Sequence, residues 1–185
     1  GVQWELNRHL WNAMIMDIGG GSVEFIHIKD NKIKWLESYP LGVGVLIKEV
    51  PHSEPITQSE INTLHQYIKS HTKPFSDYLK NKKIDLLIGS SGSFELIPSI
   101  LEGLYPPTLN DNSVDLSDFH KIKELLLNSS LEERKKIEGL PPVRAELVIV
   151  AFVLMDYVIN ALNPDHLIIS RYAVKEGLVS ELVNS

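Results

Sequence analysis

Three consecutive glycines, Gly19-Gly20-Gly21, followed by Ser22 and set between two apolar stretches, constrain this chain more than any other feature. Ahead of them Ala13-Met14-Ile15-Met16 is strand-like, and behind them Val23 to Lys29 alternates as a second strand should. The glycines therefore form a turn between strands, one whose backbone can take φ > 0. With no β-carbons in the way, its amides can come within hydrogen-bonding reach of a ligand. Successive exposed amides make an anion nest, and phosphate is the usual occupant. Asp17 and Glu24, one at each end of the turn, would repel a bare phosphate. Their presence makes sense if a divalent cation such as Mg²⁺ lies between carboxylate and phosphate oxygens. The plain alternative is a glycine-rich hairpin with Asp17 as a turn residue.

The rest of the chain supplies a frame for that turn. Asp30-Asn31 is a turn signal, and Lys32 to Tyr39 alternates as a third strand, completing an antiparallel meander. Pro40 to Gly44 is a second glycine-bearing turn leading into a short helix through Val50. Thr57-Gln58-Ser59-Glu60 is a capping box that opens a helix, with Pro74 ending or kinking it. Ile84 to Ile88 reads as a buried strand, Gly89-Ser90-Ser91-Gly92-Ser93 as a small-residue loop, and Phe94 to Leu104 as a helix. Strand, small loop and helix together direct amides and a helix dipole at an anion, although a plain βα turn has the same appearance.

Tyr105 to Val114 reads as a loop, and Asp118 to Leu127 as a helix with Ser117 as its cap. Ser130-Leu131-Glu132-Glu133 is a second capping box, and the stretch from Asp115 to Gly139 has the look of a helical insertion. Pro141-Pro142 start a long apolar helix through Leu162, with Arg144 and Glu146 in its first turns as a structural ion pair or as ligand contacts. His166 to Ser170 is a last strand and Ala173 to Val183 a closing helix. The order predicts a mixed five-stranded α/β sheet, a three-strand meander joined by parallel strands, with helices on both faces. Both small-residue loops follow carboxyl ends of strands, the edge at which open α/β sheets bind ligands.

Composition narrows the function classes. A net charge of −6 argues against a nucleic-acid surface, so a polyanionic ligand would depend on local donors and metal. There is no cysteine, which excludes disulfides, zinc–thiolate sites and thiol catalysis. The longest apolar run, Leu147 to Met155, is too short to cross a bilayer, and no signal-peptide pattern opens the chain. The expectation is a cytoplasmic protein that binds neither nucleic acid nor membrane.

Asp17-Ile18-Gly19-Gly20-Gly21-Ser22-Val23-Glu24 closely resembles the second phosphate motif of the exopolyphosphatase/guanosine-pentaphosphate phosphatase family, part of the sugar kinase–actin superfamily. Gly89 to Ser93 resembles that family's small-residue loop. Gly139-Leu140 followed by Arg144-Ala145-Glu146 resembles a third segment, and Ser170 to Val179 its terminal one, with Tyr172 where the family has Gly and Lys175 where it has Arg. Lys keeps the charge at that position but not the planar fork.

The resemblance implies a ribonuclease H-like (actin-like ATPase) domain over residues 13–185, the second of two, with residues 1–12 left from the junction. It implies Mg²⁺-dependent hydrolysis of terminal phosphoanhydride bonds in inorganic polyphosphate or a phosphorylated guanine nucleotide. The site would be shared with an N-terminal domain that carries the catalytic base. Gly19, Gly20, Gly21, Ser22, Gly89, Ser90, Ser91, Gly92 and Ser93 are the implied phosphate ligands. Asp17 and Glu24 are the implied metal ligands, and Glu24 is also the implied catalytic residue. Arg144, Glu146, Lys175 and Glu176 are ligands or structural ion pairs, and a homodimer is left open. The alternatives are an ATP-binding kinase or ATPase of the same superfamily and a non-catalytic module that senses a phosphorylated ligand.

Overall fold

The computed structural model describes residues 12–104 and 113–170. Its centre is one mixed sheet. Strands β1 (Asn12–Ile18), β2 (Val23–Lys29) and β3 (Lys32–Tyr39) form the expected antiparallel meander. Asp30 and Asn31 both have φ near +55° (54° and 56°), as a two-residue hairpin turn of the primed type requires. β4 (Leu86–Ser90) pairs parallel to β1, and β6 (His166–Ile169) parallel to β4.

The sheet has six strands rather than five, in the order β3-β2-β1-β4-β6-β5. The extra strand, β5, is only Ser113–Val114, paired antiparallel to β6 at the edge. Two residues cannot display the alternation by which a strand is recognised, so the sequence reads there as loop.

Along β1 the side chains alternate between two apolar clusters. Met14, Met16 and Ile18 join the main core with Val23, Phe25, Leu87 and the helices. Ala13 and Ile15 join a smaller cluster on the other face with Ile28, Leu86 and Ile88. The helices of the main face are α1 (Val43–Glu49), α2 (Gln58–His71), α3 (Lys73–Leu79), α4 (Gly92–Leu104), α5 (Leu116–Leu127), α6 (Leu131–Arg134) and α7 (Val148–Leu162). The helix expected from Ala173 to Val183 lies outside the described residues, as do residues 1–11.

Both capping boxes form: Thr57 and Glu60 at α2, and Ser130 and Glu133 at α6. Pro74 separates α2 from α3 and sits in the first turn of α3. α5 begins at Leu116, with Asp115 rather than Ser117 at its N-cap. Phe119, Ile122 and Leu126 bind α5 into the main core, where the Phe119 ring stacks on Phe152 of α7.

α7 is buried nearly all round, as its composition dictates, and packs against α1, α2, α3 and α5. It does not, however, start at the two prolines. Pro142–Arg144 is a 3₁₀ turn, irregular turns follow, and the α-helix begins at Val148. In this segment the Ala145 carbonyl accepts from the Arg134 side chain at 2.8 Å. No helix among the described residues is long and apolar enough to cross a membrane.

Candidate phosphate site

The glycine turn is held from beneath by the second glycine-bearing turn. The Gly19 amide donates to the Ser22 carbonyl at 2.8 Å and closes the hairpin. Val43 and Gly44, at the start of α1, donate to the Gly19 and Gly20 carbonyls at 3.1 and 2.9 Å. A β-carbon on Gly42 would overlap the backbone of Gly20 and Gly21. The turn's carbonyls are thus occupied, while the Gly20 and Gly21 amides donate to no described carbonyl. Both glycines are exposed, and a β-carbon on either would meet nothing within 4 Å. None of Gly19, Gly20 and Gly21 has a positive φ, so these residues provide open access rather than a left-handed backbone.

A cleft of about 320 Å³ opens beside this turn, on the main-core side. Gly19 and Gly20 line one wall, Gly92 and Ser93 at the start of α4 another, and Arg144 with Val143 the lip. The Arg144 guanidinium lies so close to Gly92 that a β-carbon there would be 2.6 Å from Nη1. Arg144 and Glu146 form no ion pair with each other, and the Arg144 guanidinium makes no hydrogen bond or ion pair to a described residue.

Three segments far apart in sequence therefore meet at one cleft. Ser91, between β4 and α4, has φ 93°, and its hydroxyl is buried without a hydrogen-bond partner among the described residues. Gly89 has an internal reason to be glycine, since a β-carbon would run into the Phe94 ring. Ser90 is buried.

The acidic residues occupy the other face of the same edge. Asp17 and Glu24 are directly opposite in the β1–β2 register. Ser38 of β3 faces Glu24, and Ser90 of β4 faces Asp17. The result is a polar row, Ser38-Glu24-Asp17-Ser90, across four strands. Two hydroxyls bear on Glu24: Ser38 Oγ of the row donates to Oε1 at 3.1 Å, and Ser22 Oγ of the glycine turn donates to it at 2.6 Å. Like charges opposite one another in a sheet repel. A carboxylate pair in this register is a donor set for a cation that keeps most of its water, as Mg²⁺ does. No cluster of three or more metal-ligating side chains occurs among the described residues.

Lys175 and Glu176 lie outside the described residues. The roles of Gly42, Gly44, Ser38 and Arg134 were not read from the sequence. Of these only the Gly42-Val43-Gly44 pattern left a signal, as a second glycine turn close behind the first.

The mixed sheet and its helices define an α/β domain of the actin-like kind. The sequence profile of the Ppx/GppA phosphatase family matches residues 1–185, and the chain belongs to that family. It is 24% identical over 182 residues to exopolyphosphatase 1 of Mycobacterium leprae, covering 95% of this chain and 53% of that protein. It is 24% identical over 174 residues to the guanosine-5'-triphosphate,3'-diphosphate pyrophosphatase of Vibrio atlanticus, covering 92% and 34%. The chain thus spans between a third and about half of these curated relatives.

Among solved structures, an exopolyphosphatase from Cytophaga hutchinsonii superimposes with a TM-score of 0.84 and 29% identity, covering 100% of this chain and 61% of that one. An Aquifex aeolicus Ppx/GppA phosphatase, 21% identical, shares the fold with a TM-score of 0.78, covering 97% and 59%.

Proposed function

We propose that this chain is the phosphate-holding half of a phosphohydrolase acting on terminal phosphoanhydride bonds of inorganic polyphosphate or guanosine pentaphosphate. The other half of its site would come from an N-terminal domain. The observation that carries the reading is the meeting of the glycine turn, the α4 start and Arg144 at one cleft. In this reading the Gly20 and Gly21 amides, the first amides of α4 and the Arg144 guanidinium hold phosphate oxygens. Asp17 and Glu24, at the same sheet edge, would hold Mg²⁺, which would supply positive charge against the charge that develops on phosphate. Glu24, steadied by Ser22 and Ser38, also orients the attacking water. Water forms the new P–O bond as the anhydride oxygen leaves, and the base that takes the proton belongs to the other domain. Such transfer depends on positioning and charge neutralisation more than on covalent chemistry, which suits a chain with no cysteine nucleophile.

The test is an NMR titration of this chain with tripolyphosphate. Amides of Gly20, Gly21, Gly92 and Ser93 should shift in the parent chain. In Gly20→Val they should not, because the valine side chain occupies the open space through which a phosphate approaches. Shifts confined to other regions, or undiminished in the variant, would place the ligand elsewhere.

A further inference from the structure

The buried guanidinium of Arg134 has no part in the cleft, yet the geometry points to it as the residue that positions Arg144. Arg134 ends α6 and is fully buried. Its donors go to three separate segments. Nε donates to the Ala145 carbonyl at 2.8 Å, Nη1 to the Ser129 carbonyl at 2.6 Å, and Nη2 to both carboxylate oxygens of Glu54. Ala145 directly follows Arg144 and is itself fully buried.

A second clamp holds the same segment from its other end. Ser99 Oγ in α4 donates to the Gly139 carbonyl at 2.7 Å. Gly139 has φ 82°, and a β-carbon there would run into the Ser99 carbonyl. Between these anchors Pro141 and Pro142 remove most of the backbone's remaining freedom. The Arg144 guanidinium is thereby delivered to the α4 start.

An apolar side chain of similar volume could fill the space of Arg134, but it would leave Glu54 and the Ser129 and Ala145 carbonyls without their donor. What an apolar side chain cannot do is fix a carbonyl. The planar fork of Arg134 sets the Ala145 carbonyl relative to Ser129 and Glu54, and with it the backbone that carries Arg144. Arg134 is a positioning residue: it touches nothing in the cleft. Its value to a ligand rests on the phosphate reading proposed above.

The test is a double-mutant cycle on this chain, with tripolyphosphate as the probe and thermal melts recorded alongside. Arg144→Ala should weaken binding roughly tenfold, the loss expected for one charged hydrogen-bonding group. Arg134→Lys should weaken it by a similar factor in a folded protein, and the double variant should bind no more weakly than Arg144→Ala alone. Unchanged binding in Arg134→Lys, or losses that multiply in the double variant, would overturn the inference. If Arg134→Lys does not fold, Arg134→Gln replaces it in the cycle under the same criteria, since the shorter amide cannot reach the Ala145 carbonyl, the Ser129 carbonyl and Glu54 together.

A ligand-free arm uses the Gly92 amide, which lies beside the Arg144 guanidinium. Its resonance should move in the same direction in Arg134→Lys as in Arg144→Ala. That shared shift, in a chain that takes up no tripolyphosphate, would sink the phosphate reading and leave the positioning role standing. A Gly92 resonance unmoved by Arg134→Lys would end the positioning role whatever the binding data.

Discussion

Gly42 and Gly20 touch each other, yet they are glycine for opposite reasons. At Gly42 the backbone is ordinary extended chain, φ −65° and ψ 163°, which alanine adopts freely. The obstacle is the Gly20 and Gly21 backbone, which a β-carbon would overlap. Gly42→Ala should therefore lower stability by about 1–3 kcal/mol, the usual range for forcing an extra carbon into packed space, and disturb the turn. A denaturant melt within about 0.5 kcal/mol of the parent would show that the two turns are not pressed together.

Glu24 carries a different kind of demand. As one polar position on an alternating strand, Glu24→Gln would be close to neutral. As a metal ligand or water-orienting group, the same change should cost ~10²–10³-fold in kcat in the two-domain protein at saturating Mg²⁺. Equal rates for two equally stable proteins would remove Glu24 from the mechanism.

At the scale of elements, the junction of β1, β2 and α3 predicts a pH dependence. The Asn12 amide nitrogen donates to the Lys83 carbonyl at 2.7 Å, which turns its oxygen toward His27 Nε2 at 2.8 Å. In the neutral ring His27 Nδ1 accepts from the Tyr78 hydroxyl, the two atoms being 2.7 Å apart. Burial holds its pKa below the ordinary histidine value, and Lys29, Lys82 and Lys34 add to the effect. A base whose pKa is lower in the folded state contributes stability that is complete above the unfolded value of about 6.5. That stability is lost as pH falls through the folded value. The Tm should drop more between about pH 7.5 and about pH 5.5 in the parent than in His27→Gln, whose amide cannot titrate in this range. Parallel Tm curves would show that His27 carries its proton as readily folded as unfolded.

The same strands mark what the sequence could and could not convey. The hairpin at Asp30-Asn31 was legible, because two residues at positive φ leave a compositional trace. Counting back from that turn, where Lys29 faces Lys32, would set Glu24 against Glu37. A bulge at His27/Ile28 shifts the register by one, so Glu24 faces Ser38 instead. A bulge of this kind replaces a like-charge contact with a hydrogen bond and has no local signature. The capping boxes were legible because they are contiguous. The Arg134 clamp was not, since its acceptors at Glu54, Ser129 and Ala145 are brought together only by the fold.

At the scale of the whole molecule, the lip of the cleft is exposed. Val143 at its lip is 85% exposed, and Pro141, Pro142, Arg144, Gly20 and Gly21 are exposed with it. Phosphoryl transfer gains most from charges and dipoles that act with water excluded, because in bulk solvent the same interactions are several-fold weaker. The net charge of −6 adds no long-range attraction for a polyanion, so in the proposed function capture rests on the few donors of the turn, α4 and Arg144. This chain covers 53% of the Mycobacterium leprae exopolyphosphatase, which is thus nearly twice as long as the aligned segment.

These facts lead to one expectation for the chain by itself. It should fold and bind phosphate-type ligands weakly, but release phosphate from polyphosphate with Mg²⁺ orders of magnitude more slowly than the ~10 s⁻¹ of an ordinary enzyme. Joined to the N-terminal domain of a full-length relative, it should gain turnover in step with closure over the exposed lip. A phosphate-release assay on both forms decides the matter. Turnover near ~10 s⁻¹ by the chain alone would mean that its own residues complete the site, base included. The assignment of the base to another domain would then be wrong.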